Sequence, residues 1–244
     1  MARRPVVLVH GAWHGAWCWE PVLAALVGRG VEAVAVELPG HGADPGPLRD
    51  LHGDAARVRA VLDGLDGPAV LVGHSYGGVV ITEAGAHPNV AHLVYIASFN
   101  LDAGESAMSA AVAETEAASI DHSGRPDALS FVRDEGDGST TIDPEGARVL
   151  FYNDCPPEVA DWAVARLGRQ PMETLSQCPA AVAWRERPST YARCTKDNIV
   201  HPELQRVLAA RATHSVEWPT GHSPFLSRPE LVADLLAGLA AGGA

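Results

Sequence analysis

The sequence predicts an α/β fold: a mostly parallel central sheet with helices on both faces and an inserted, mainly helical cap. Three observations carry that expectation. Short apolar runs alternate with helical patterns over about the first hundred residues, the alternation resumes near residue 188, and a G-x-S-x-G pentapeptide stands between a strand and a helix. The chain has 244 residues, enough for one substantial core, and its 47% hydrophobic content argues against disorder.

The elements follow in order. Pro5–Val9 is a short apolar strand, and Pro21–Arg29 reads as a helix stopped by Gly30. Val31–Glu37 alternates as a strand and runs into the turn Leu38-Pro-Gly-His-Gly42. Leu48, Leu51, Ala55, Val58, Leu62 and Leu65 recur at three- and four-residue steps and so share one helical face. Pro68–Val72 has the composition of a buried strand, the helix carrying Val79, Val80 and Ile81 stops at His87-Pro88, and Val90–Ala97 is again β-branched and apolar. The pattern then breaks. Residues 100–187 hold the segment Met108–Ala118, a hairpin signal at Asp134-Glu-Gly-Asp-Gly138 and a helical pattern at Pro156–Leu167. An insertion that long in a compact domain reads as a cap and not as a structureless loop. Ser189–Cys194 and His214–Trp218 complete the strands, Pro202–Arg211 and Pro229–Ala241 the helices. The expected organisation is one domain, 1–244, with a core of about 1–99 and 188–244 around a cap of about 100–187.

Bulk chemistry narrows the partners. A net charge of −12 argues against a nucleic-acid backbone, whose neutralisation needs a basic face. No run is long and apolar enough for a membrane span or a signal-peptide core, so no membrane partner and a cytoplasmic location are expected. Cys18, Cys155, Cys178 and Cys194 lack CxxC spacing and signal neither a zinc cage nor a disulfide framework. No helix carries an HxxxH pair beside a carboxylate, so neither a metal nor an organic cofactor is expected.

Gly73-His-Ser-Tyr-Gly77 places Ser75 at a sharp strand-to-helix turn, where flanking glycines let strand and helix approach. A serine hydroxyl is a poor nucleophile until a base takes its proton. Among eleven histidines, His222 stands out, because Thr220-Gly-His-Ser-Pro224 joins the last strand to the last helix. His10, His41 and His74 read as turn residues. The acid that fixes the imidazole tautomer is expected at Asp197, in Cys194-Thr-Lys-Asp-Asn198 and 25 residues before His222; Asp102, after the strand Val90–Ala97, is the competitor. Two backbone N–H groups should face the developing oxyanion: Tyr76, after the nucleophile, and Ala12, in the loop after the first strand.

These residues resemble the α/β-hydrolases, and within them the group containing the plant methylesterases, among them the salicylate-binding methylesterase, and the α/β-fold hydroxynitrile lyases. The likeness rests on Leu8-Val-His-Gly-Ala-Trp-His-Gly-Ala-Trp-Cys-Trp19, Leu71-Val-Gly-His-Ser-Tyr-Gly-Gly78, Cys194-Thr-Lys-Asp197 with Pro202-Glu-Leu-Gln205 behind it, and Gly221-His222. It implies a serine hydrolase that cleaves a small-molecule carboxylic ester through an acyl-enzyme, with Ser75, His222 and Asp197 as triad and Ala12 and Tyr76 as oxyanion donors. Two other readings stay open: a hydroxynitrile-lyase-like or other non-hydrolytic lyase, and a non-catalytic small-ligand receptor. The lyases have a lysine after the histidine and a threonine in the first oxyanion loop, where this chain has Ser223 and Gly11. Trp13 and the cap aromatics Phe151, Tyr152, Trp162 and Trp184 are the expected pocket walls. Monomer and homodimer are equally compatible with the sequence.

Overall fold

The structure, a computed structural model, describes residues 3–116 and 123–242. The chain enters through β1 (Val6–Val9), crosses over in α1 (Glu20–Gly28) and returns in β2 (Ala33–Val36). Then come α2 (Leu51–Asp63), β3 (Ala69–His74), α3 (Tyr76–Ala84) and β4 (Val90–Ile96). The chain next leaves the sheet for an insert built from α4 (Ala107–Glu116), β5 (Val132–Asp134), β6 (Ser139–Ile142), α5 (Pro144–Leu150), α6 (Pro157–Val164), β7 (Gln170–Pro171) and α7 (Glu173–Ser176). It rejoins the sheet in β8 (Ser189–Cys194) and closes with α8 (Pro202–Ala209), β9 (His214–Trp218), α9 (Pro224–Ser227) and α10 (Pro229–Ala240).

The main sheet has the order β2-β1-β3-β4-β8-β9, and every pairing in it is parallel. Every residue of β1 and β3 is buried. Successive side chains of a strand point to opposite faces, so both faces of the sheet are covered there. α1 packs with α10 and α2 with α3. On α2 four of the six stripe residues turn inward, Leu51, Ala55, Val58 and Leu62 being wholly buried, while Leu48 and Leu65 fall outside the helix and are half-buried. From β1 the chain steps outward to β2 and then to the other side in β3, which makes β1 and β3 the topological switch point. Loops leaving the carboxyl ends of such neighbours diverge and leave a crevice.

The insert carries helices together with a three-stranded antiparallel sheet, β5-β6-β7. The expected hairpin is its first part, paired from Val132↔Ile142 to Asp134↔Thr140. Gly136 and Gly138 turn it at φ 78° and 86°, a region that glycine enters without steric penalty. Helix α4 matches the start of the Met108–Ala118 segment, whose last two residues, 117 and 118, lie outside the described residues. Helices α5 and α7 and strand β7 have seven, four and two residues, too few for periodicity to reveal.

Candidate active site

Ser75 occupies the turn between β3 and α3 at φ 51°, ψ −122°. A non-glycine residue in that region carries strain of about 1–3 kcal/mol, held only because its surroundings over-determine it. The neighbouring glycines supply that constraint. A Cβ on Gly73 would lie 2.5 Å from the Gly77 carbonyl oxygen, and one on Gly77 2.6 Å from the carbonyl oxygens of Val9 and His10. A Cβ on Gly78 would collide with Ser98 Oγ. Ser98 Oγ in turn donates to the Ser75 carbonyl at 2.7 Å.

The loops after β8 and β9 leave the sheet together, since Cys194 is in register with Trp218. Main-chain bonds from Thr195 to Trp218 (3.0 Å) and from Lys196 to Thr220 (2.9 Å) extend the pairing beyond the strands. His222 Nδ1–H donates to Asp197 Oδ2 at 2.8 Å. The same oxygen accepts from Gln205 Nε2 at 2.9 Å, and Oδ1 accepts the N–H groups of Ile199 (2.7 Å) and Val200 (3.1 Å). A carboxylate with that many donors has no freedom to rotate. Asp102 instead pairs with Arg185 at 2.5 Å. The Ala103 N–H first, and Arg185 second, hold its carboxyl below the usual range.

Three further histidines are buried around the site and bonded to its backbone. His74 ends strand β3 and is no turn residue: its Nε2–H donates to the His222 carbonyl at 2.9 Å, and burial drives its pKa far down. His10 donates from Nδ1 to the Gly11 carbonyl (2.9 Å) and accepts the Leu38 N–H on Nε2 (3.3 Å), with burial again lowering its pKa. His14 donates from Nδ1 to the Ala12 carbonyl (2.8 Å), accepts Tyr152 OH on Nε2 (2.9 Å), and is pushed by burial to about 4.

Ala12 follows β1 and Tyr76 opens α3, on the adjacent strands of the switch point. The first amides of a helix have no intrahelical acceptor, so the Tyr76 N–H is available to a ligand. Among the described residues neither N–H enters the backbone network of turns and loops. The Tyr76 hydroxyl points away and donates to buried Asp54 Oδ2 at 2.7 Å. Burial raises Asp54 to about 7.

Ala12, Trp13, Ser75 and Tyr76 open onto a cavity of about 730 Å³. Its other walls are mainly apolar, including Phe99, Met108, Leu129, Ile142 and Ile199, with Arg125, Asp127 and Asn198 as polar members. Of the five expected wall residues only Trp13 is among those lining it. Phe151 stacks on Trp13 at 5.9 Å and approaches the His222 ring at 5.8 Å. Tyr152 holds His14 and faces a separate cavity of about 410 Å³. Trp162 packs edge-on against Trp17 beneath the Arg166 guanidinium, and Trp184 donates its indole N–H to the Leu101 carbonyl at 2.8 Å. Large rings bury the most area where two layers meet. These four aromatics therefore fasten the insert, while aliphatic side chains together with Trp13, Tyr76 and Phe99 shape the cavity.

The residues bonded to the candidate site that sequence reading missed are His74, Gln205 and Asp154. Asp154 Oδ2 accepts from the Gly221 N–H (2.8 Å) and Ser227 Oγ (3.0 Å), clasping the histidine loop from the insert. His74 and Gln205 sat inside quoted motif blocks, which was the available signal; Asp154 had none.

The family model described as "Alpha/beta hydrolase family" matches residues 6–235. The chain is an alpha/beta hydrolase. Two relatives carry the same likeness over nearly their whole length. The alpha/beta hydrolase nvfD of Aspergillus novofumigatus is 32% identical, covering 97% of this chain and 96% of that protein. Methylesterase 18 of Arabidopsis thaliana is 28% identical over 94% of each. Among solved structures, a pyrethroid hydrolase from Sphingobium faniae superposes with a TM-score of 0.82 at 25% identity, covering 98% of this chain and 97% of the other. The esterase, methylesterase and pyrethroid-hydrolase relatives place this alpha/beta hydrolase among enzymes. Among the described residues no helix is long and apolar enough to cross a membrane.

Proposed function

We propose that this alpha/beta hydrolase is a serine esterase that cleaves a small-molecule carboxylic ester through an acyl-enzyme. The observation that carries the reading is the buried His222–Asp197 pair, delivered to the same sheet edge as the strained Ser75. His222 Nε2 takes the Ser75 proton as Oγ attacks the ester carbonyl, while Asp197 keeps the proton on Nδ1 and stabilises the imidazolium. The Ala12 and Tyr76 N–H groups receive the oxyanion. The departing alkoxide takes its proton from His222, and water activated by the same base then releases the acid and restores Ser75. The apolar cavity favours an ester with a hydrophobic body.

A panel of p-nitrophenyl esters of increasing acyl length, combined with labelling by a fluorophosphonate, tests this. The expected result is turnover with one label per chain at Ser75, both absent from Ser75→Ala. Ester turnover that survives Ser75→Ala would overturn the reading.

A further inference from the structure

We propose that the small sheet of the insert sets the geometry of the first oxyanion arm, with Gln170 as its positioning residue. The proposal rests on the serine-esterase reading and adds a residue that motif and spacing do not reveal. Trp13, next to the donor Ala12, sits at φ 61°. Its main-chain N–H donates to Gln170 Oε1 at 3.3 Å, its indole N–H to Thr140 Oγ1 at 3.2 Å, and its carbonyl accepts the Gly168 N–H at 2.8 Å. All three partners belong to the insert.

The network is polarised and complete. Gln170 is wholly buried in β7 and paired with Thr140 of β6. The Trp13 N–H can only donate, so it fixes the amide with oxygen toward Trp13, where His41 Nε2 also approaches at 3.0 Å. The amide nitrogen donates to Thr174 Oγ1 at 2.8 Å, and that hydroxyl in turn donates to the Pro171 carbonyl at 2.7 Å. Thr140 Oγ1 donates to the Gln170 carbonyl at 3.1 Å and is left to accept from the indole.

This matters for the Ala12 N–H. The Ala12–Trp13 peptide is held at both ends: its N–H by Gln170 and its carbonyl by His14. Holding that plane fixes the backbone torsion of Ala12 and with it the direction of the preceding peptide, which carries the oxyanion donor. On the other side Gly11 leaves no slack, since a Cβ there would lie 3.0 Å from Ser75 Cβ. The insert therefore contributes to rate as well as to fit. An oxyanion donor misplaced by a fraction of an ångström loses its effect in the transition state while ground-state binding is unchanged.

The test is Gln170→Met, which keeps the volume and removes the acceptor. Ester kcat and KM are measured beside the affinities of a trifluoromethyl ketone, which forms an oxyanion on Ser75, and of its methyl ketone counterpart, which serves as the ground-state probe. Expected are a kcat lower by roughly 10–100-fold, a KM within about twofold, and a loss of trifluoromethyl ketone affinity that parallels kcat, with methyl ketone affinity retained. Thr140→Val, which removes the indole acceptor together with the hydroxyl's bond to the Gln170 carbonyl, gives the same signature at smaller size and stands in if Gln170→Met does not fold. An unchanged kcat in the folded variant, or equal weakening of both ketones, overturns the proposal. Failure of the esterase reading itself would show separately, as absent turnover and absent phosphonate labelling in the unaltered protein.

Discussion

His222 donates its Nδ1–H to Asp197 Oδ2 at 2.8 Å, with the two side chains 1% and 0% exposed. A base whose proton is pinned on one nitrogen presents the other as an acceptor, which is what a serine hydroxyl requires. Asp197→Asn replaces a pure acceptor by a group that also donates, and disturbs the tautomer without changing shape. Its kcat on an ester is expected to fall by on the order of 10³–10⁴-fold, whereas Asp102→Asn stays within about twofold. Steady-state kinetics of the two variants decides between the acids; the opposite ranking would move the third member to Asp102.

His74 gives a second prediction. Its Nε2–H holds the His222 carbonyl inside a buried cluster of rings, 4.5 Å from the His222 imidazole. His74→Leu leaves that carbonyl without its donor. A loss of about 1–3 kcal/mol in folding free energy is expected, with kcat reduced roughly tenfold as the base loop relaxes. Urea unfolding and kcat measured on one preparation check this, and a variant as stable and active as the parent would show that the bond is dispensable.

What the sequence made legible follows from how local each signal is. Ser75 and its glycines lie within one turn, and His222 and Asp197 lie in loops directly after strands, so pattern alone singled them out as candidates. Leu51, Ala55, Val58 and Leu62 announced a buried helix face through their spacing. Gln170 and Asp154 act across 157 and 67 residues on single backbone N–H groups, and nothing in their neighbours marks such a contact. The insert aromatics misled for a related reason. Size and hydrophobicity identify a ring that will be buried but not which neighbour it meets: Phe151, Trp162 and Trp184 pack on other groups, and Tyr152 holds His14 beside a different cavity from the one Ser75 lines.

Asp54 supplies a pH prediction. Burial raises its carboxyl to about 7, one of its oxygens lacks a partner among the described residues, and the other accepts from Tyr76. An exposed aspartate releases its proton near pH 4. Between these values the folded chain holds the extra proton, so this group's contribution is full below about pH 4, falls as pH rises and levels off above about 7. Asp54→Asn keeps an acceptor for Tyr76 and does not titrate. Its stability relative to the parent should therefore rise by up to about 1.4 kcal/mol per pH unit across that window. Urea unfolding at the two ends of the window measures the difference, and an equal difference at both would remove Asp54 from the account.

The last prediction separates hydrolysis from cyanohydrin cleavage. In the lyases that the sequence resembles, a lysine after the histidine and a threonine in the first oxyanion loop serve the departing cyanide. Here Ser223 is wholly buried with its Oγ unpartnered among the described residues, and Gly11 faces the nucleophile with no side chain. Gly11 is closely packed, and position 223 is buried away from water. A Cβ on Gly11 would lie 2.9 Å from His74 Nδ1 and 3.0 Å from Ser75 Cβ, against atoms that cannot swing aside. A lysine at position 223 would place an ammonium in a buried site, at a cost of several kcal/mol unless it were paired. Without a cation the cyanide anion leaves poorly, whereas an alkoxide can take its proton from His222. Gly11→Thr is accordingly expected to lower ester turnover by more than about tenfold without conferring lyase activity. Mandelonitrile incubated with the parent or with Gly11→Thr should release hydrogen cyanide no faster than the enzyme-free control. Release from the parent at rates rivalling ester turnover would assign the chemistry to the lyases.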